Sequence, residues 1–374
     1  MPNPSRKTLL ISARGLDPVG SGRQLELVAA GLVAAGWRVH VAVLSRGGGL
    51  PRRLAARGVD VHQVGRRATV DLAAATRLAR LAVRLRPGVL LAWGRSQLLP
   101  VVGAGCGAGW TSAGPRLAAH VDHPFTSRPA LWIASRFQLL IATSPHLAAV
   151  LNRQCPAARI VAIPPGIEPE TARLSRDEIA RRLGLRPETT WTLCVAPLLP
   201  RARVERLLWA IDQLGVVRKD LEHVLIGSGP LLQRLTRRGR VQELMERLVI
   251  LPSCDVLPEL LHEVRLVWQA GEVACGGAIL DGMAAGVPAV AVASDAARQL
   301  IVDGETGRIV PALPESELPR RAFGILEDAQ RAASYATAAQ VRAREQFPAT
   351  ALVAAHVAAL ESLLADAARP QPRA

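Results

Sequence analysis

Several stretches of this 374-residue chain place chemically capable residues where a sheet protein could use them. Gly227-Ser228-Gly229-Pro230 directly follows the apolar run His223–Ile226 and opens a helical pattern. Glycine lets a backbone approach a ligand closely, and a helix N-terminus favours phosphate. A tight strand-to-helix turn needs glycine as well. Cys275-Gly276-Gly277 precedes a second short helical pattern whose one carboxylate is Asp281. His120 ends the run RLAAHV. A histidine there is either a structural hydrogen-bonding group or a site residue. Asp122 and His123 follow, but without further ligands they do not make a metal site. No Asp-x-Asp and no P-loop occurs, and neither lysine, Lys7 or Lys219, lies in a glycine-rich loop. Cys106, Cys155, Cys194, Cys254 and Cys275 are scattered with no C-x-x-C. They read as buried small apolar residues, not disulfides or zinc ligands.

The elements that must position these groups alternate. Thr8–Ser12, Trp37–Leu44, Val59–Val64, Val89–Trp93, Leu117–Val121, Leu139–Thr143 and Ile160–Ile163 read as strands, with helical spacing between them. Gln24–Ala35 is a helix stopped by Gly36. A break follows at Ile163-Pro164-Pro165-Gly166-Ile167-Glu168-Pro169. Ser175–Leu183 then opens with a capping box, Ser175 and Glu178, and closes at Gly184. The alternation restarts with strands at Trp191–Ala196, Leu221–Ile226, Leu248–Leu251, Arg265–Gln269 and Ala289–Ala293. Helices near 315–328 and 331–345 come next, and Phe347-Pro348 precedes a last helix, Ala349–Ala367. This is an α/β chain of two doubly wound parallel-sheet units. Ligands of such sheets bind at the carboxyl ends of the strands. Trp93 and Trp110 read as core.

Length and composition agree with two globular domains: 49% of residues are apolar and 21% charged. No apolar run reaches the ~18 residues of a membrane span, and the apolar start is too short for a signal peptide. The expected location is cytoplasmic. The net charge of +15 is uneven. Residues 1–168 carry 21 Lys+Arg against 6 Asp+Glu, whereas the remainder carries 25 of each. A basic first half suggests an anionic partner. No basic helix, finger or aromatic platform for nucleic acid is recognisable.

The string ILDGMAAGVPAVA (279–291) followed by VDGETGRIVP (302–311) resembles the signature of family 4 glycosyltransferases of the GT-B fold. Gly20-Ser21-Gly22-Arg23 after the first strand is similar to the family's glycine-rich loop, and His120 to its catalytic-site histidine. Ile163-Pro164-Pro165-Gly166-Ile167-Glu168 resembles the linker, and HVLIGSGPLLQRL (223–235) and LPSCDVLPELLHEV (251–264), with Asp255, match further landmarks.

The resemblance covers nearly the whole chain. It implies two Rossmann-like domains facing across a cleft. Residues 1–168 would form the acceptor side, residues 169–346 the nucleotide-sugar domain, and residues 347–374 the returning C-terminal helix plus tail. It further implies retaining transfer of a sugar from a nucleotide sugar, in cell-envelope or exopolysaccharide synthesis, to an anionic glycan or lipid-linked acceptor. Peripheral association with the anionic inner membrane, no nucleic acid, no cofactor and no metal are expected. Donor contacts would come from Gly20, Gly22, Arg23, Gly227, Gly229, Asp255, Gly276, Gly277 and Asp281.

The chain departs from the family at its phosphate-gripping Arg/Lys pair. An ungapped match places Pro197 and Ala202 there, leaving Arg201 and Arg203 as substitutes. Of the family's two glutamates, one falls on Val273, next to Glu272, and the other on Asp281. Two readings follow. One is an enzyme with His120, Arg201 and Arg203 in catalysis; the other is a degenerate GT-B protein that binds sugar nucleotide, glycan or partner without turnover.

Overall fold

The computed structural model describes residues 7–14, 20–44, 50–65, 72–107, 114–168 and 174–366. Trp110 lies outside them, as does Pro169 at the end of the expected break. The chain divides into two compact units, Met1–Gly166 with Ala349–Ala374, and Ile167–Pro348.

The first unit runs β1 (Thr8–Ala13), α1 (Ser21–Ala34), β2 (Arg38–Val43), α2 (Leu50–Ala56), β3 (Asp60–Gln63), α3 (Leu72–Leu85) and β4 (Val89–Trp93). It continues through α4 (Leu98–Gly107), β5 (Arg116–Val121), α5 (Arg128–Ala134), β6 (Leu139–Ala142), α6 (Pro145–Gln154) and β7 (Arg159–Ala162). Its seven strands are ordered β3-β2-β1-β4-β5-β6-β7, and every pairing is parallel. Alternate residues of each strand face opposite sides, so a sheet with both faces covered needs apolar residues throughout. Leu9 and Ile11 belong to one core with α1 and α2, and Leu10 and Leu90 to the other with α3 to α6.

The second unit contains α7 (Arg176–Leu183), β8 (Thr190–Val195), α8 (Val204–Val217), β9 (Leu221–Ile226), α9 (Leu232–Val241), β10 (Leu248–Leu251) and α10 (Leu257–Glu263). It then runs β11 (Leu266–Gln269), α11 (Ile279–Ala285), β12 (Ala289–Val292), α12 (Asp295–Leu300), β13 (Arg308–Val310), α13 (Glu317–Glu327) and α14 (Ala329–Gln346). Its six strands are ordered β10-β9-β8-β11-β12-β13, again all parallel. Half of the expected capping box forms: the Glu178 amide donates to Ser175 Oγ, while the Glu178 carboxylate takes Arg182 instead. Gly184 ends α7 at φ 70°, as a left-handed helix terminus requires. The sequence reading missed α12 and β13. α12 had a local signal, Ser294 capping it through the Ala297 amide, whereas β13, with three residues, is too short to show a period.

α15 (Ala349–Asp366) returns to the first unit, packing on α1. It is the one described helix long and apolar enough to cross a membrane by length and composition. Here Leu352, Ala359, Leu360 and Leu363 are buried in the α1 core. A Cβ on Gly31 of α1 would stand 2.3 Å from Val353, so the two helices meet closely. Gly166 is held by Gln24 of α1, whose side-chain amide donates to the Gly166 carbonyl (2.9 Å) and accepts from its N–H (2.7 Å). Four cysteines are buried and none forms a disulfide; Cys106 is exposed, against expectation, because it sits on the solvent side of α4. Leu360 is fully buried. Leu360→Ala should therefore cost ~2–5 kcal/mol in denaturant unfolding of the first unit. A loss below ~1 kcal/mol would mean that α15 is not an integral part of that core.

Candidate functional site

The second unit gathers most of the singled-out residues at the carboxyl ends of β8, β9 and β11. The loop after β8 is the centre of the arrangement. Ala196 donates to the Ile226 carbonyl, Leu198 to Ser228, and Leu231 donates back to Leu198. A Cβ on Gly227 would lie 1.9 Å from the Ala196 carbonyl oxygen, far inside contact distance. The glycines of Gly227-Ser228-Gly229 therefore serve the turn itself: they let the β9 loop lie against the β8 loop. From the other side, the Glu272 amide donates to the Arg201 carbonyl at 3.0 Å. Cys275-Gly276-Gly277 forms a tight turn in which all three residues have positive φ, followed by α11 with Asp281 in its first turn. Asp281 is half-buried, and Asp255 is exposed before α10.

Arg201 and Arg203 occupy the short turn between β8 and α8, and both are exposed. Among the described residues neither guanidinium makes a hydrogen bond or ion pair. Neighbouring arginines are engaged: Arg206 with Glu315 (3.0 Å) and Arg234 with Glu205 (3.6 Å). Arg203 sits at φ 49°, a left-handed conformation uncommon outside glycine, and it starts α8. Ala202 between them is buried in the core with Leu207 and Trp268. A lysine at that position would point into apolar packing, whereas 201 and 203 face solvent. Val273 is likewise core. The sequence alone could not separate these faces, since a short turn has no periodicity to read.

In the first unit, the register Ala13↔Trp93↔His120 sets three strand ends level. Gly20 precedes α1 with φ 52°, and Ser21 and Gly22 begin the helix. Trp93 Nε1 donates to both the carbonyl (3.0 Å) and Oγ (2.9 Å) of Ser21. The indole stacks on the His120 imidazole, centroids 4.0 Å apart and 10° from parallel. Trp93 is thus core, but also a direct neighbour of a candidate site residue, which the sequence reading missed. Its position level with His120 in adjacent strands was the available signal. Arg23 corrects an expectation: it is not a loop cation but a buried helical residue, 3.5 Å from the buried Glu26 carboxylate. Arg53 and Arg57 approach the same carboxylate at 3.0 and 3.6 Å. Among the described residues no group of three His, Cys, Asp or Glu could hold a metal ion.

Family models match both units. The model described as Glycosyltransferase Family 4 matches residues 19–171, and that described as Glycosyl transferases group 1 matches residues 190–328. Over 200 residues the chain is 28% identical to a GDP-mannose-dependent alpha-(1-6)-phosphatidylinositol monomannoside mannosyltransferase of Mycolicibacterium smegmatis. The match covers 49% of this chain and 51% of that protein, so the chain spans about half the length of this curated relative. Among solved structures, Anabaena HepE in complex with UDP and glucose superposes with TM-score 0.77 at 19% identity, covering 95% of this chain and 99% of that one. WaaG, a glycosyltransferase involved in lipopolysaccharide biosynthesis, gives 0.72 at 15% identity, covering 93% and 99%. At these identities the structural likeness carries the fold alone.

Burial holds three histidines uncharged. It pushes His120 down to about 3, with the neighbouring His356 as a second cause, His223 to about 3 and His356 to about 4. Unfolded histidine titrates near ~6.5, so above that pH both states are neutral and stability is full. As pH falls from 6.5 the unfolded chain takes up protons that the folded one refuses. Stability should then fall by up to ~1 kcal/mol per pH unit per histidine between pH 6.5 and 5, above the carboxylate range. Chemical unfolding across that window checks this; a flat profile would refute burial of these imidazoles in neutral form.

Proposed function

The chain belongs to the family 4-like glycosyltransferases and has their GT-B fold, and from this premise we propose that it transfers a sugar from a nucleotide sugar to a glycan or lipid-linked acceptor with retention. In that reaction the bond between the sugar's anomeric carbon and the diphosphate oxygen breaks. The acceptor oxygen bonds the same carbon, and its proton leaves with the diphosphate. The nucleotide sugar is a substrate, and the reading includes neither a metal nor another cofactor. Synthesis of cell-envelope or extracellular polysaccharide is the process such an activity would serve.

The observation that carries this reading is the pair Arg201 and Arg203, exposed and without ionic partners among the described residues, on the turn between β8 and α8. A guanidinium presents a planar fork of donors suited to phosphate oxygens. Two of them would stabilise charge developing on the leaving diphosphate, and the Gly227–Gly229 turn lies against the same loop. Asp281 would accept from a ribose hydroxyl. In the first unit, neutral His120 would hydrogen-bond a substrate hydroxyl.

A second reading, binding without turnover, is favoured by Pro197, Ala202 and Val273 in place of the family's charged residues. Donor hydrolysis, followed as released nucleoside diphosphate, separates the two. Active wild-type protein that loses ~10²–10³ in rate in the Arg201→Ala, Arg203→Ala double variant supports relocated cations. A sugar nucleotide that raises the melting temperature without any turnover supports the binding protein. No melting shift with any sugar nucleotide at millimolar concentration would defeat the donor site in both readings. Asp281→Ala should remove most of the shift, a charged hydrogen bond being worth ~1.5–3 kcal/mol.

We extend the reading to peripheral attachment at the cytoplasmic face of an anionic membrane. From residue 72 to 167 there are ten arginines, with Asp122 as the one acid. α3 exposes Arg80 and Arg84, α4 exposes Leu99, and α5 exposes Arg128 and Trp132. The Arg136 guanidinium lies 4.6 Å from the Trp132 ring centroid. Tryptophan beside arginine suits the headgroup region, and each arginine near an anionic surface adds ~1 kcal/mol. Flotation with anionic vesicles should succeed at low salt, weaken in Trp132→Ala, and fall away by ~0.5 M salt. Equal flotation with neutral vesicles, or none at low salt, would overturn the attachment.

A further inference from the structure

Asp122 is the one acid among residues 72 to 167, a stretch with ten arginines. In such surroundings a carboxylate is readily taken up by a guanidinium, as Glu26 is by Arg53 at 3.0 Å. Asp122 is not. Its side chain is 14% exposed, and its one ionic neighbour among the described residues is Nε2 of His123, 4.0 Å away and beyond hydrogen-bond reach. Among those residues its carboxylate accepts no hydrogen bond. Its oxygens are not sealed from solvent, so a solute can reach them. A carboxylate that is mostly covered, open at its oxygens and uncompensated two residues beyond His120 calls for a ligand that donates.

The loop that carries Asp122 is held on both sides. Thr143, just past β6, donates to the Val121 carbonyl (3.2 Å), and Gly94, just past β4, donates to the His120 carbonyl (3.0 Å). Gln154 of α6 clamps Phe125: its Oε1 accepts from the Phe125 N–H (3.1 Å) and its Nε2 donates to the Phe125 carbonyl (2.8 Å). Arg95 reaches the same loop from the β4 side. One of its terminal nitrogens donates to the Pro124 carbonyl (2.9 Å), and its guanidinium lies 5.8 Å from the Phe125 ring centroid. Arg95 is half-buried and makes no ion pair among the described residues. A short, fixed loop at the carboxyl end of β5 thus carries a carboxylate and is touched by a guanidinium, and the two do not pair. β5 lies next to β4, and the strand order reverses between β4 and β1, where ligands of such sheets bind.

We propose that Asp122 and Arg95 are acceptor-binding residues, Asp122 accepting from hydroxyls and Arg95 donating to a phosphate, so that the acceptor is a hydroxyl-bearing phosphate ester: a sugar or polyol phosphate, free or as a lipid headgroup. An ionised carboxylate only accepts, so it favours O–H donors and repels a bare anion. A guanidinium only donates, and with one nitrogen spent on Pro124 the others remain for phosphate oxygens. Arginines alone, in so cationic a unit, would hold any anion. The carboxylate adds the requirement for hydroxyls. The inference rests on the transferase reading, which makes the ligand an acceptor; the binding itself belongs to the first unit alone.

The test is ligand-observed magnetic resonance on the full-length protein, with glucose 6-phosphate, glucose and inorganic phosphate as probes at millimolar concentration. The wild type should bind glucose 6-phosphate about tenfold or more tightly than either half. Asp122→Asn should weaken glucose 6-phosphate by about tenfold and leave inorganic phosphate unchanged or tighter. The sign is diagnostic: losing a negative charge strengthens anion binding by electrostatics alone, so only a lost hydroxyl contact weakens it. Arg95→Gln should weaken both phosphates. Neither variant should alter the melting shift given by a sugar nucleotide, which reads the second unit and decides the transferase reading separately. Flotation with phosphatidylglycerol vesicles, whose headgroup carries a diol, against phosphatidate vesicles of matched charge separates the sources. A preference for phosphatidylglycerol that Asp122→Asn abolishes assigns the lipid headgroup, and equal flotation with both assigns the free ester. Glucose 6-phosphate bound equally or more tightly by Asp122→Asn would overturn the proposal. So would a wild type that binds glucose 6-phosphate no better than inorganic phosphate, whether or not the variants fold.

Discussion

Three backbones in the second unit approach more closely than a Cβ would permit, and the candidate donor site depends on that approach. The loop after β8 is gripped on one side by the β9 loop, where a Cβ on Gly227 would be 1.9 Å from the Ala196 oxygen. On the other side is the β11 loop, where a Cβ on Gly271 would be 2.5 Å from the Arg201 oxygen. The Gly277 turn presses on the same strand end, a Cβ there falling 2.6 Å from the Val195 oxygen. Each contact excludes every side chain, so these glycines are first a condition of assembly. The same loop carries Arg201, whose carbonyl accepts from the Glu272 amide and whose side chain is exposed.

The first unit solves the same positioning problem with rings. Its strands end level at Trp93 and His120, and a flat indole fills the space between the Ser21 turn and the imidazole. Stacking restricts a ring's plane without consuming its hydrogen-bonding atoms, which backbone contacts would do. Burial does the rest. In a unit so rich in arginine, a partly exposed imidazole would change charge with small shifts in pH; the buried one stays neutral. In this unit the fold places the neutral His120 and His356 beneath an arginine-rich surface.

The amino-acid sequence displays the large elements well, because long apolar runs and helical spacing reflect burial on one or both faces. Thr8–Ala13 and Val89–Trp93 are apolar on successive residues because both sheet faces are covered. Elements of three to six residues are a different matter. β13 and α12 are too short for a period to emerge, and their formation depends on β12 and on the Ser294 cap. The site was half legible. Glycine positions and Asp281 stood out by local composition. The inward direction of Ala202, the ion pairing of Arg23 with Glu26, and the partnership of Trp93, His120 and His356 are tertiary facts. No spacing within one segment encodes them.

The cationic pair at the β8 turn contrasts with the paired arginines of the same unit. The second half of the chain carries as many acids as bases, and several of its arginines find carboxylates: Arg176 with Glu263, Arg186 with Glu222, Arg218 with Asp220 and Glu327. Arg201 and Arg203 find none among the described residues. One of them also holds a left-handed backbone, a conformation costing of order 1–3 kcal/mol for a residue with a side chain. Glycine at 203 would remove that strain and asparagine would reduce it. The chain instead keeps an arginine at the strained start of α8, with a second one two residues earlier and a buried alanine between them. An exposed, uncompensated, strained cation is expensive for folding and useful for holding an anion, and on the proposed transferase reading that anion is the diphosphate of the donor.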